Sequence, residues 1–259
     1  MRTGLFALTL LAGTALAGAA SAETVAALVG DDTLVHVDTA AKKATKTVKV
    51  TGISGRILGI DVRPADGMLY GVVSDGSVVT IDPMTGKATA KSKLDTTLPA
   101  GVMATVDFNP VADRLRIIGS DGTNLRANVD DGKVTKDGQL KFADADTMKG
   151  KTPKVVAGAY TNSMKGAKET ALFDVDATGA LLKQAPPNDG VLNTVGMLGM
   201  SGEAVSFDIM SDGAGGNSAW AMSGDTLYSV DLATGKGTMA AKITGVSGTV
   251  RDIAILPKM

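Results

Sequence analysis

The chain reads as an all-β protein, a β-propeller of five four-stranded blades closed by pairing of its N- and C-terminal segments. Three observations predict this. First, a strand-only repeat recurs from Ile57, Ala104 and Ala204, with a truncated copy from Asp31. Its marker positions Asp61, Asp107, Ala159 and Asp208 stand 46, 52 and 49 residues apart, and a strand-built period of ~40–50 residues is that of propeller blades. Second, helical periodicity is almost absent, whereas runs such as Leu69–Val73, Val78–Ile81 and Thr226–Val230 are rich in β-branched residues. Third, many of the 32 glycines fall at matched Asp-Gly or Thr-Gly turns, where glycine takes φ > 0 without strain.

The elements follow in order. Residues 1–22 carry Arg2, an apolar run from Gly4 to Gly18 and an Ala20-Ser21-Ala22 cleavage pattern. They predict a secretory signal peptide, the run being too short for a membrane span. Residues 23–259 form the single propeller domain. Thr24 to Val50 supplies only three strands. Blade two runs from Ile57 to Leu94, blade three from Ala104 to Leu140, blade four from Val155 to Leu198 and blade five from Ala204 to Ile243. Val250–Leu256 supplies one further strand, which joins the first three and removes the free sheet edges. A sixth blade would require a strand pair hidden between Asp144 and Pro153.

Composition narrows the function. Without the leader the chain carries 25 basic and 27 acidic side chains. That balance argues against nucleic acid, which demands a basic face. No later segment is apolar enough to span a bilayer, and export points to the periplasm or the outside of a bacterium. Cysteine is absent, so no disulfide contributes. Histidine occurs once, His36, and no G-x-S-x-G motif occurs. Imidazole-built metal sites and that kind of serine hydrolase are excluded, and His36 reads as structural.

The first strand of each blade lines the channel, so Asp61, Asp107 and Asp208 converge, with Asp252 a looser fourth. Carboxylates and carbonyls are the ligands of Ca²⁺, the one cofactor these residues suggest. The competing reading has each Asp accept N–H bonds from its following turn, in D-V-R-P and D-F-N-P. Arg63, Arg114, Arg116 and Arg126 form a second candidate set. Arg114 and Arg116 project from one face of a strand, suited to clamping a carboxylate or phosphate. The alternative pairs these arginines between blades with the Asp ring. Asp174–Gly179 imitates half of a calcium loop but has Ala185 where its last ligand belongs, and reads as a hairpin turn. Pro186–Gly190, with Asn188 and Asp189, is a stiff loop, either a plain turn or a binding loop at the channel mouth.

The strings Asp107-Phe108-Asn109-Pro110, Asp113–Arg116, Asn124-Leu125-Arg126, Ala159-Tyr160-Thr161-Asn162, Gln184–Gly190, Phe207-Asp208-Ile209 and Leu227–Asp231 resemble a bacterial family of exported domains of unknown function. The resemblance spans Val25 to Leu256 and implies a propeller-like β fold without assigning an activity. Its motifs add Asn109, Tyr160 and Asn162 to the candidate ligand-binding residues. More distantly, the I-D-P-x-T-G turn is similar to quinoprotein and surface-layer repeats, but the stacking tryptophans of a quinone site are missing, Trp220 being the only one. The resulting expectation is an exported, non-catalytic propeller binding a small ligand, ion or protein partner. The alternative is a carboxylate-based hydrolase or lyase acting on a sugar or lactone.

Overall fold

The structure, a computed structural model, describes residues 23–202 and 204–257. The expected leader lies outside the described residues. Five small sheets form five blades. Blade one joins β1 (Thr24–Val29), β2 (Thr33–Asp38) and β3 (Lys43–Lys49) to β21 (Val250–Leu256). Blade two contains β4 (Ile57–Val62), β5 (Leu69–Val73), β6 (Ser77–Ile81) and β7 (Ala88–Lys93). Blade three contains β8 (Ala104–Asn109), β9 (Arg114–Gly119), β10 (Asn124–Ala127) and β11 (Val134–Lys136). Blade four contains β13 (Val155–Tyr160), β14 (Leu172–Asp176), β15 (Ala180–Gln184) and β16 (Val191–Met197), and blade five β17 (Val205–Ser211), β18 (Asn217–Ser223), β19 (Thr226–Val230) and β20 (Gly237–Lys242).

The ring closes as the sequence predicts, with β21 antiparallel to β1 from Thr24 opposite Leu256 to Val29 opposite Val250. Among the described residues no sixth blade forms. The connection between blades three and four instead contributes β12 (Lys141–Phe142), which adds to blade four parallel to β16. Asp146 then ties the following loop down by accepting from Thr194 N at 2.5 Å. Among the described residues no helix is long and apolar enough to cross a membrane.

Each seam between neighbouring blades holds its own apolar core. Leu28 and Leu34 meet Ile57 and Ile60 between blades one and two. Tyr70 meets Phe108 edge-on between blades two and three, with ring centroids 5.2 Å apart. The inner strands β21, β4, β8, β13 and β17 neighbour one another around the axis. They are almost wholly buried, which explains their continuous apolar runs in place of alternation.

The rim has its own repeating joint. The outer turn of one blade bonds to the segment leaving the previous blade: Thr51 N donates to Gly86 O at 2.9 Å, and Asp95 N to Gly132 O at 3.0 Å. This explains the repeated glycine. Gly132 has φ +75°, and a β-carbon there would stand 1.9 Å from the Lys93 carbonyl oxygen. Left-handed backbone costs a non-glycine residue about 1–3 kcal/mol, and the clash adds to it. Gly132→Ala is therefore expected to lower the melting temperature by roughly 4–8 °C at ~2 kcal/mol. Calorimetry checks this, and an unchanged midpoint contradicts it.

Candidate functional site

The inner-strand acids do converge. Asp61, Asp107 and Asp208 each offer a carboxylate oxygen, all within 4.8 Å of one another. All three are buried. One oxygen of each has a partner beyond the following amides the sequence suggested. Asp61 Oδ2 accepts from Phe108 N at 2.7 Å, Asp107 Oδ1 from Tyr160 N at 2.9 Å and Asp208 Oδ2 from Ile255 N at 2.6 Å. Each donor is on the inner strand of the next blade. The acids stitch the channel wall together where strands of different sheets have no ladder of their own.

The second oxygen follows from what the preceding blade provides. Ala254 and Ala159 occupy the matching positions before Asp61 and Asp208. The N–H after each of these acids is therefore free, and Asp61 Oδ1 accepts from Val62 N and Asp208 Oδ1 from Ile209 N, both at 2.6 Å. Asp107 differs because Asp61 has already taken the Phe108 N–H. Among the described residues nothing donates to Asp107 Oδ2. Asp252 lies two residues before Ala254, in a lower layer, where its Oδ2 accepts from Ile60 N at 2.9 Å. Thr105 fills the matching place in blade three, with Oγ1 accepting from Gly158 N at 3.0 Å.

These surroundings disfavour negative charge. Burial, then Asp208, drives the Asp61 carboxyl well above its ordinary range, and burial, then Asp61 and Asp208, does the same for Asp107. Burial raises Asp208 to about 6, the amides of Ile255 and Ile209 holding it there. Burial also raises Asp252. Above the cluster opens a cavity of about 440 Å³, walled by Asp61, Asp208, Ser163, Ser211, Asp212 and Pro257 among others.

The arginines do not join this cluster, nor do they pair with it. Arg63 bridges blades two and three by a fork to Asp113 (Nε–Oδ1 2.8 Å, Nη2–Oδ2 2.6 Å) and a contact to Asp130 at 2.9 Å. Arg116 and Arg126 share one buried carboxylate, Asp137. Arg116 also donates to Tyr160 Oη at 3.1 Å, Asn124 Oδ1 at 2.8 Å and Asn188 Oδ1 at 2.8 Å. This network stands beside the apolar core at the seam of blades three and four. Arg114 projects beside Arg116 but bonds to the Asp113 carbonyl at 2.9 Å.

The remaining candidates are spread around the ring. Asn109 Oδ1 caps its own turn, accepting from Val111 N and Ala112 N at 2.9 Å. Asn162 exchanges bonds with Asn217 between blades four and five. The Pro186–Gly190 loop is a strap over blade three: Gly138 N donates to Asn188 O and Lys141 N to Gly190 O, both at 2.9 Å. Asp189 is exposed there. His36 donates from Nε2 to Pro83 O at 2.7 Å, a structural bond between blades. Asp176 Oδ1 accepts from Thr178 N at 2.9 Å, forming the hairpin turn expected of the calcium-like string.

One buried acid gave no signal in the sequence. Asp174 is fully buried with neither oxygen hydrogen-bonded. It lies against Gly158, where a β-carbon would come within 2.4 Å of its Oδ1. Only glycine leaves it room. Burial raises its carboxyl to about 8, against the pull of Arg116.

Among the similar solved structures, one from Bacteroides thetaiotaomicron shares the fold. This protein of unknown function is 16% identical, with a TM-score of 0.54 over 92% of this chain and 66% of its own. Another, from Bacteroides caccae, is 11% identical with a TM-score of 0.45 over 92% of this chain and 100% of its own. A Myxococcus xanthus glutaminyl cyclase is 12% identical with a TM-score of 0.40 over 76% of this chain and 69% of its own. No curated protein matches in sequence. The model of a domain of unknown function, DUF4394, matches residues 33–254, and the chain belongs to that family.

Proposed function

We propose that the protein is an exported, non-catalytic binding domain that holds a small cation at the carboxylate mouth of its ring, with Ca²⁺ the candidate ion. The observation that carries this reading is Asp107, a buried acid whose Oδ2 has no donor among the described residues and whose carboxyl belongs to a cluster spanning 4.8 Å. Calcium–oxygen bonds of 2.3–2.6 Å set ligand oxygens on one ion at most about 5 Å apart, so the cluster has the right span. Ser163, Ser211 and Asp212 supply further oxygens in the cavity wall. Export rests on the leader pattern of residues 1–22.

Acid–base hydrolysis is the weaker reading. It needs carboxyls free to exchange protons with a substrate, and both oxygens of Asp61 and of Asp208 are held by backbone amides. Melting curves in millimolar Ca²⁺ and in chelator test the proposal. At a hundred times its dissociation constant an ion stabilises by ~2.7 kcal/mol, a rise of roughly 5–10 °C here. Asp107→Asn should abolish the rise. The cation competes with protons held by the raised carboxyls, so affinity should fall from pH 8 to pH 5. Superimposable curves overturn the reading.

A further inference from the structure

The opposite mouth of the channel, where the inner strands begin, has the reverse charge. A cavity of about 240 Å³ is lined there by Met103, Ala104, Val156, Ala204, Thr249 and Arg251. Arg251 Nη1 donates to Gly30 O at 3.0 Å and to Ile57 O at 2.9 Å. Among the described residues nothing accepts from its Nε or Nη2. The acid at hand, Asp31, stands 3.7 Å from Nη1 with a largely exposed side chain. Arg56 reaches over the same mouth, its Nη2 donating to Val102 O at 3.3 Å, next to Met103 of the cavity wall.

Arg251 thus feels a second guanidinium, that of Arg56, and has one carboxylate, Asp31, within 3.7 Å. Burial, then Arg56, weakens the hold of Arg251 on its proton. Asp31 and Asp252, the latter one residue further on, offset this only in part. The two oxygens of Asp252 are spent on Ile253 N and Ile60 N, and burial keeps its carboxyl raised. A part-buried guanidinium whose Nε and Nη2 meet no acceptor among the described residues is a ready seat for an oxyanion.

We propose that this mouth binds a small organic carboxylate, its oxygens on Arg251 and Arg56 and its aliphatic part against Met103, Ala104 and Val156. The cavity holds roughly eight waters at about 30 Å³ each, room for a short-chain acid. The apolar walls favour such an acid over inorganic phosphate, which would leave them wet.

Titrating the full chain with butyrate, chloride and inorganic phosphate at matched ionic strength tests this. Butyrate should bind saturably and raise the melting temperature, whereas chloride should do neither. Arg251→Gln and Arg56→Gln should each weaken butyrate binding at least tenfold. Arg251 also holds two carbonyls, so Arg56→Gln, which gives up a single long bond, is the decisive variant, and its own melting curve reports whether the fold is intact. Butyrate binding unchanged in a folded Arg56→Gln, or no saturable binding, overturns the site. Phosphate binding tighter than butyrate overturns the assignment to a carboxylate.

Discussion

Deleting residues 249–259 is expected to unfold the whole domain, not to fray one end. The described part of that segment contains β21, whose Val250, Ile253, Ile255 and Leu256 are all buried. At about 1.5–3 kcal/mol for each large apolar side chain, their loss comes to ~6–12 kcal/mol, comparable with the entire 5–15 kcal/mol stability of an ordinary domain. The deletion also strips Asp208 Oδ2 of the Ile255 N–H and Ile60 N of Asp252. It leaves the edge of β1 open to other chains. No disulfide holds the remainder together. Circular dichroism and light scattering should show an aggregating chain without a cooperative transition. A soluble product that melts where the parent melts would refute the closure argument.

Acidification from pH 8 to about pH 4.5 is expected to stabilise the domain. Asp174, raised to about 8 from 3.8, holds a proton in the folded chain that the unfolded chain releases. Its contribution is complete below the ordinary carboxyl range and is lost as pH rises through about 8. Each pH unit between is worth ~1.4 kcal/mol for one such proton, or about 4 kcal/mol across the window. Asp208, raised to about 6, adds to this in the same direction, as do Asp61, Asp107 and Asp252. Acids held low work the other way: Asp130, lowered to about 2 by Arg63 and Lys91, loses its contribution only in stronger acid. Asp174→Asn cannot ionise. It should be the more stable protein at pH 8, by a few kcal/mol less the cost of an unpaired amide, and should show a flatter pH profile. Urea titrations at pH 4.5, 6 and 8 measure both, and a parent less stable at pH 4.5 than at pH 8 rules the account out.

The blade count, the blade boundaries and the closing strand were legible because each rests on local pattern: strand runs, turn glycines and a period near fifty residues. The convergence of Asp61, Asp107 and Asp208 was legible for the same reason, since matched positions in a repeat become neighbours on the axis. What these acids bond to across the blades was not. Their donors, Phe108, Tyr160 and Ile255, lie about one repeat ahead, and a backbone N–H leaves no mark in a sequence. Of the arginines, Arg63 and Arg116 do reach another blade, while Arg114 and Arg126 stay within blade three, and the acids they meet, Asp113, Asp130 and Asp137, sit in turns and loops that read as solvated. Asp174 hid in a string that imitates a metal loop. Arg56 and Arg251 are nearly two hundred residues apart and influence each other only because the ring closes.

That closure fixes the order in which the molecule can be made. The strand completing the first blade, β21, follows every other described strand, and it pairs with β1, Thr24 opposite Leu256. Contacts of such long sequence separation are slow to form, because the chain must be ordered before they contribute. Until β21 appears, β1 lacks its partner and the first and fifth blades share no finished seam. The ring therefore stays open at one seam until β21 is in place, and that seam is completed only after the strands of the other four blades have been made.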